Sequence, residues 1–242
     1  ADALRLYLIQ SNLVKAEEQR FSDNGVKEIV RRILLPWYNA HKFLSTYTKI
    51  DNWHPQTEMR FSNILDQWIQ SRLQTLTDQI NQHMKAYQLH QIVFSILSFL
   101  DDLTNTYIRL NRQRFWTTGL EKDKQEAYQC LYETLMQFST LMAPFSPFLS
   151  EYIYQKFKQS HPSQHIKDSI HMQSYPKSDH NKIMNELENA VSVMQQIILL
   201  GRQCRNDAKI KIKTPLQKLT IVHGQKGIFE HIKPLINYLK KE

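Results

Sequence analysis

Asn105, Arg109, Arg112 and Trp116 recur four, three and four residues apart within the segment DLTNTYIRLNRQRFW. At about 100° per residue, such positions share one side of a helix. Guanidinium forks in that row can meet phosphate oxygens bidentately, and an indole can stack on an unpaired base. A solvated helix face would use the same residue types. Asn111 and Arg114 project toward the opposite, apolar side. A charge there has to find a carboxylate or reach solvent, with Glu151 and Asp101 as candidate partners and ligand contact as the alternative use of Arg114. Far downstream, Arg202, Arg205, Lys209, Lys211 and Lys213 form a second basic cluster. Both clusters suit a phosphate-bearing polymer.

Other chemistries find no complete set of groups. Asp101 and Asp102 are adjacent, so on a helix they point about 100° apart and lack a companion for acid–base work. Glycine-rich phosphate loops, nucleophile elbows and paired cysteines are absent from the sequence. Cys130 and Cys204 stand alone and read as structural thiols. His161 and His165 have metal-ligand spacing, but Pro162 between them disfavours helix, so QSHPSQH reads as loop. No catalytic residue and no metal ligand is assigned.

The elements that must carry these residues are helical. Only five glycines occur in 242 residues, and 41% of the chain is hydrophobic, which together predict an all-α protein with a packed core. Lysine and arginine outnumber aspartate and glutamate by 31 to 23, a formal +8 that suits an acidic partner such as RNA or an anionic membrane. No apolar run reaches the roughly 18 to 20 residues a bilayer requires. A soluble cytoplasmic protein, without membrane attachment, is expected.

ADALRLYLIQSNLV opens the chain as a helix, with the pattern of something cut from a longer protein. After a turn at FSDNG, a second helix carries Val26, Ile29, Ile33, Trp37 and Leu44, with a kink expected at Pro36. A third begins near Asn63 and Asp66, and a fourth runs from Leu89 through Trp116. The fifth occupies 123–142, and the sixth starts at Pro147 under a Ser146 cap. Trp37, Trp68, Tyr107 and Phe115 read as core. A loop over 159–180 leads to a seventh helix, capped by Asp179 and ending near Gly201. Ile210 and Ile212 then alternate with lysines, the period of a strand, and Leu219 to Val222 suggest another before a helical tail tempered by Pro234. The expected domains are a helical bundle over 1–201 and the start of a small α/β module over 202–242.

Five stretches in order, ADALRLYL, LLPWYNAHKFL, LDQWIQSRLQ, DLTNTYIRLNRQRFW and LMAPFSPFLSEYIYQ, resemble the anticodon-binding region of the isoleucyl-tRNA synthetases, in the form shared by eukaryotes and some bacteria. LGRQCRNDAKIKIKTPLQKL is similar to the junction that follows that family's bundle, so the resemblance covers nearly the whole chain. It implies the helix bundle of class I synthetases, docking on the anticodon arm of tRNA(Ile). The chain would lie between a catalytic domain bearing the KMSKS and HIGH sequences and the rest of a C-terminal region, both partners within one parent chain. ATP and magnesium would serve that parent, with no cofactor in this portion. Thr106 departs from the pattern, since an aromatic often precedes that tyrosine, and the C-terminal zinc motif of the commoner bacterial form is also missing.

Three other readings compete. The valyl- and leucyl-tRNA synthetases share the bundle. A helical protein-interaction module would use the charge for solubility alone. A helical enzyme with an unrecognised carboxylate or histidine site is the weakest, because no candidate set is discernible.

Overall fold

The computed structural model describes residues 1–56, 59–160, 167–224 and 227–240. His161 and His165 lie outside the described residues. The chain folds as two compact units, Ala1–Ile183 and Met184–Glu242.

In the first unit, α1 (Asp2–Gln10) leads to α2 (Asp23–Ile29). FSDNG is the start of α2 rather than a turn: Ser22 Oγ accepts the Gly25 amide at 3.3 Å. Residue 25 has to be glycine because a Cβ there would run into the edge of the Tyr7 ring. A wide π-helical turn, Val30–Leu34, joins α2 to α3 (Leu35–Ile50). Pro36 thus sits in the first turn of α3, where its missing N–H is tolerated, and the chain widens just before it.

Asn63 caps α4 (Ile64–Lys85) as expected, its Oδ1 accepting Leu65 N at 2.8 Å. α5 (Leu89–Asp101), a second π-helical stretch (Asp102–Ile108) and α6 (Arg109–Trp116) form one continuous helix. α7 (Lys122–Met142) and α8 (Pro147–Ser160) complete the bundle. Trp37 meets Phe138 edge-on at 5.2 Å and Phe99 stacks on the same ring at 5.3 Å, so three helices converge on one aromatic cluster. Trp37, Trp68, Tyr107 and Phe115 are all buried, as their spacing predicts.

The α8 cap differs from expectation. Ser146 Oγ donates to Asp2 Oδ2 at 2.8 Å, and the Asp2 carboxylate accepts the Leu149 and Phe148 amides at 2.8 and 3.3 Å. A carboxylate from the first residues of the chain therefore closes the α8 N-terminus, where negative charge is favoured. Arg5 adds a 3.0 Å bond to Pro144 O. Asp179 likewise caps only a short 3₁₀ turn, His180–Lys182, and not the next helix.

The second unit holds α9 (Asn185–Asp207), α10 (Ile228–Ile232) and α11 (Ile236–Leu239), with α9 against α10. Two expectations change here. Gly201 lies inside α9, so nothing divides the chain at 201/202, and the units part after Ile183 instead. Among the described residues there is no strand at 209–213 or 219–222. The reason is the helix end: Lys209 adopts a left-handed φ of 54°, and Ile210 N and Lys209 N return to Arg205 O and Asn206 O at 2.8 and 2.9 Å. That double bond is a Schellman closure, which takes up the first two residues of the alternating segment. The α/β part of the expected fold is thereby withdrawn for the described residues, and the all-α part stands. No helix among them is long and apolar enough to cross a membrane.

Candidate nucleic-acid interface

The end of α6 gets its orientation from the π-helical stretch that precedes it. Ile92 and Phe115 are both fully buried and 23 residues apart. An unbroken α-helix would set them about 140° from each other, whereas absorbing one residue in a wider turn reduces this to about 40°. The inner side of the helix therefore stays in the core to its last turn, with Leu110, Asn111 and Phe115 all buried. Of the three arginines, Arg112 is exposed and Arg109 half-buried, while Arg114 turns inward.

A buried ion pair locks this end. Asp66 on α4 has no exposed side-chain surface, and Arg114 Nη1 and Nη2 donate to its two oxygens at 2.8 and 2.9 Å. Tyr107 Oη donates to Asp66 Oδ1 at 2.7 Å, and Arg114 Nε reaches Asp123 Oδ2 at 2.9 Å. Burial alone would lower the Arg114 guanidinium, but hydrogen bonds and charge from Asp66 and Asp123 raise it, so it stays ionised. Burial pushes the Asp66 carboxyl above its ordinary value against the pull of Arg114 and Tyr107. Arg114 is thus an internal anchor, and its candidacy as an RNA contact is withdrawn. Neither carboxylate expected to pair with it takes part: Glu151 accepts Ser169 Oγ and Ile170 N, and Asp101 accepts Asn105 Nδ2.

A second lock follows. Lys124 is buried; it pairs with Asp51 and donates to Thr117 O at 2.7 Å, just after α6. Tyr128 Oη also donates to Asp51. Burial would raise the Asp51 carboxyl, but these two partners hold it below its usual range. The helix end is tied from both sides.

On the outer side, Arg112 and Trp116 are exposed, Trp116 by 54%. Arg109 is half-buried, and Asn105 is exposed with its amide given to Asp101. Arg109, Arg112 and Trp116 lie on the regular helix α6, while Asn105 lies in the π-helical stretch, where 100° per residue does not hold. Thr106 is buried, which removes that position from any stacking. Asp102 pairs with Arg72 at 2.9 Å while Asp101 faces solvent, so the two carboxylates do not act together.

In the second unit, Arg205 Nη1 donates to Thr214 O at 2.8 Å and folds 211–214 back on the helix end. Lys209, Lys211 and Lys213 are exposed, and Arg202 is half-buried. Cys130 is buried, and burial pushes its thiol well above the ordinary value; Cys204, against expectation, is exposed. Among the described residues no group of three or more His, Cys, Asp or Glu is placed to hold a metal ion.

The spacing argument missed Asp66, Asp123, Lys124 and Asp51. A signal existed for two of them. Asp66 interrupts the apolar run ILDQWI, and Lys124 precedes Tyr128, Leu131 and Leu135 at the intervals of a buried stripe.

Residues 66–220 match the family described as the anticodon-binding domain of tRNA ligase. The chain belongs to that family. The match begins at the buried Asp66 and covers part of each unit, ending at residue 220. Isoleucine-tRNA ligase of Bdellovibrio bacteriovorus is 45% identical over 96% of the chain and 22% of its own length. The cytoplasmic isoleucine-tRNA ligase of Saccharomyces cerevisiae is 40% identical over 100% of the chain and 24% of its own length. That of Chlamydia caviae is 41% identical over 92% of the chain and 21% of its own length. The chain thus spans under a quarter of these relatives. A crystal structure of an Agrobacterium radiobacter leucyl-tRNA synthetase complex with tRNA shares the fold, with a TM-score of 0.51 at 16% identity over 76% of the chain and 20% of that structure's chain.

Proposed function

We propose that this domain binds the anticodon arm of tRNA(Ile) and positions it for aminoacylation by a catalytic domain of the same parent, an isoleucine-tRNA ligase. The observation that carries the reading is the identity of 40 to 45% to isoleucine-tRNA ligases across 92% or more of the chain. The α6 end supports it physically. Arg112 and Trp116 stand exposed on a helix whose inner side is fixed by Asp66, so a phosphate and an unstacked base would meet a surface that is already ordered. Lys209, Lys211 and Lys213 are the second set of candidate phosphate contacts, with Arg202 and Arg205 beside them. The parent would draw on ATP and magnesium outside this domain and would work in the cytoplasm. Bond making belongs to that other domain; this one contributes affinity and register.

Anticodon stem-loops of tRNA(Ile) and tRNA(Val) provide the test. Binding of the isoleucine stem-loop is expected to exceed that of the valine one. Arg109→Ala and Arg112→Ala should each weaken it and lower the slope of log K against log salt by about 0.7 to 0.9 per lost phosphate contact. Unchanged affinity and slope in both variants would remove the α6 row from the interface, and a preference for the valine stem-loop would reassign the parent.

A further inference from the structure

A cleft of about 570 Å³ opens between α3 and α8, away from the α6 row. Two helical stripes face each other across it, and each carries an aromatic followed one turn later by a lysine: Tyr38 and Lys42 on α3, Tyr152 and Lys156 on α8. Lys49, two turns further along α3, adds a third cation, and no carboxylate among the described residues lines the cleft. The tyrosine rings approach to 6.2 Å at a 40° tilt, and Lys156 Nζ lies 5.6 Å from the Tyr152 centroid. Tyr152 keeps 44% of its surface exposed.

A solvated face would intersperse both signs of charge, as the rest of this chain does with 23 acidic residues. Three like charges around an uncovered pair of aromatic rings make instead a site for an aromatic anion. His41 lines the wall of the cleft. It is buried, bonded at 3.1 Å to Ser45 Oγ, and burial together with the Lys156 charge lowers it to about 4, so its imidazole is neutral. The cleft volume lies within the roughly 300 to 1,000 Å³ of ligand sites. Phe43, beside Lys42 on α3, packs on Phe115 at 5.1 Å, which puts the α6 end on the neighbouring side of the same helix.

The geometry points to a nucleotide subsite: one nucleotide of the bound RNA sets its base against the Tyr38–Tyr152 pair and a phosphate among Lys42, Lys49 and Lys156. The inference rests on the anticodon-arm reading and adds to it a second contact, on residues that reading does not use. A single strand reaching both α3 and α6 would thread from a stacked base at the cleft to the indole at Trp116.

The test uses the 242-residue chain and a labelled tRNA(Ile) anticodon stem-loop, with thermal unfolding as a check that each variant folds. Tyr152→Ala is expected to weaken binding about ten-fold, in the range of a lost base stack, and Tyr152→Phe to bind as the native protein does. Lys49→Ala with Lys156→Ala should reduce the salt slope by about 1.4 to 1.8. Ultraviolet crosslinking should attach the RNA to Tyr38 or Tyr152. If the native chain binds, Arg112→Ala weakens it, and the cleft variants bind with unchanged affinity and slope, the subsite is wrong and the anticodon-arm reading survives. Failure of the native chain to bind the stem-loop overturns both.

Discussion

The two basic clusters carry charge of the same sign on unlike supports. At the end of α6, each exposed group stands on a helix pinned by a fully buried carboxylate and by Lys124, so its backbone is fixed before any ligand arrives. Around 205–214, the lysines follow a left-handed residue and a turn tied down mainly by Arg205 to Thr214 O. A count of arginines and lysines, higher in the second cluster, does not register this difference in support. What separates them is whether a counter-charge lies in the core behind them, because a pre-ordered surface loses less entropy on binding.

The sharpest way to break the comparison is to remove the anchor. Arg114→Ala should cost about 3 to 5 kcal/mol in urea unfolding, since it leaves Asp66 buried and unpaired, while Arg205→Ala should cost about 1 kcal/mol or less. Equal losses would end the distinction. Replacing both partners, Asp66→Leu with Arg114→Met, should recover most of the loss, because the pair's cost lies in leaving one charge alone.

Acid offers the next contrast. His41 is lowered to about 4, against 6.5 when unfolded, so the unfolded chain binds the extra proton between these values. The stabilisation is complete above pH 6.5 and fades as the pH falls towards 4. With part of the ring near solvent, it amounts to about 2 kcal/mol. His41→Gln should flatten the pH dependence of unfolding over that window; a variant with the native slope would place its source elsewhere.

Trp116→Ala should weaken stem-loop binding by about 1 to 3 kcal/mol, the value of one base stack, with little change in unfolding. Loss of stability in place of affinity would return the indole to a structural role. The smallest effect is the most discriminating for the second cluster. Lys209→Gly relieves a left-handed residue at the α9 end and should stabilise that helix by about 0.4 to 1 kcal/mol. If Lys209 meets a phosphate, the same change lowers the salt slope by about 0.7 to 0.9; if it only closes the helix, the slope stays.

Spacing read most of the first unit, and in the second it read the long helix and the helical tail but not the stretch between them. Stripes such as Ile92, Ile96 and Leu100 identify their helices because burial there depends on period alone. The exposure of Arg112 and Trp116 was legible for the same reason. The partner of Arg114 was not, since Asp66 lies 48 positions away and only folding brings the two helices together. The Asp2 cap on α8 was hidden likewise, across 147 positions to Leu149. At 209–213 the alternation was real but local, and the Schellman closure at Lys209 overrode it. Gly201 misled in the other direction: an isolated glycine in a long helix resembles a terminus until the continuing hydrogen bonds are seen.

The wide turn at Asp102–Ile108 has a consequence for how this surface can vary. Which side chains meet the solvent at 109–116 depends on the winding of that stretch as much as on residue type. Deleting one position from that stretch would rewind it to an ordinary α-helix with everything beyond still aimed as it is, because the wide turn already absorbs that residue; rewinding it at full length would instead swing everything beyond by about 100°. That rewinding at full length would leave every arginine in the chain, yet carry Arg114 off its carboxylate. Substitutions can tune the recognition surface one group at a time, whereas closing the wide turn without a deletion would re-aim it whole.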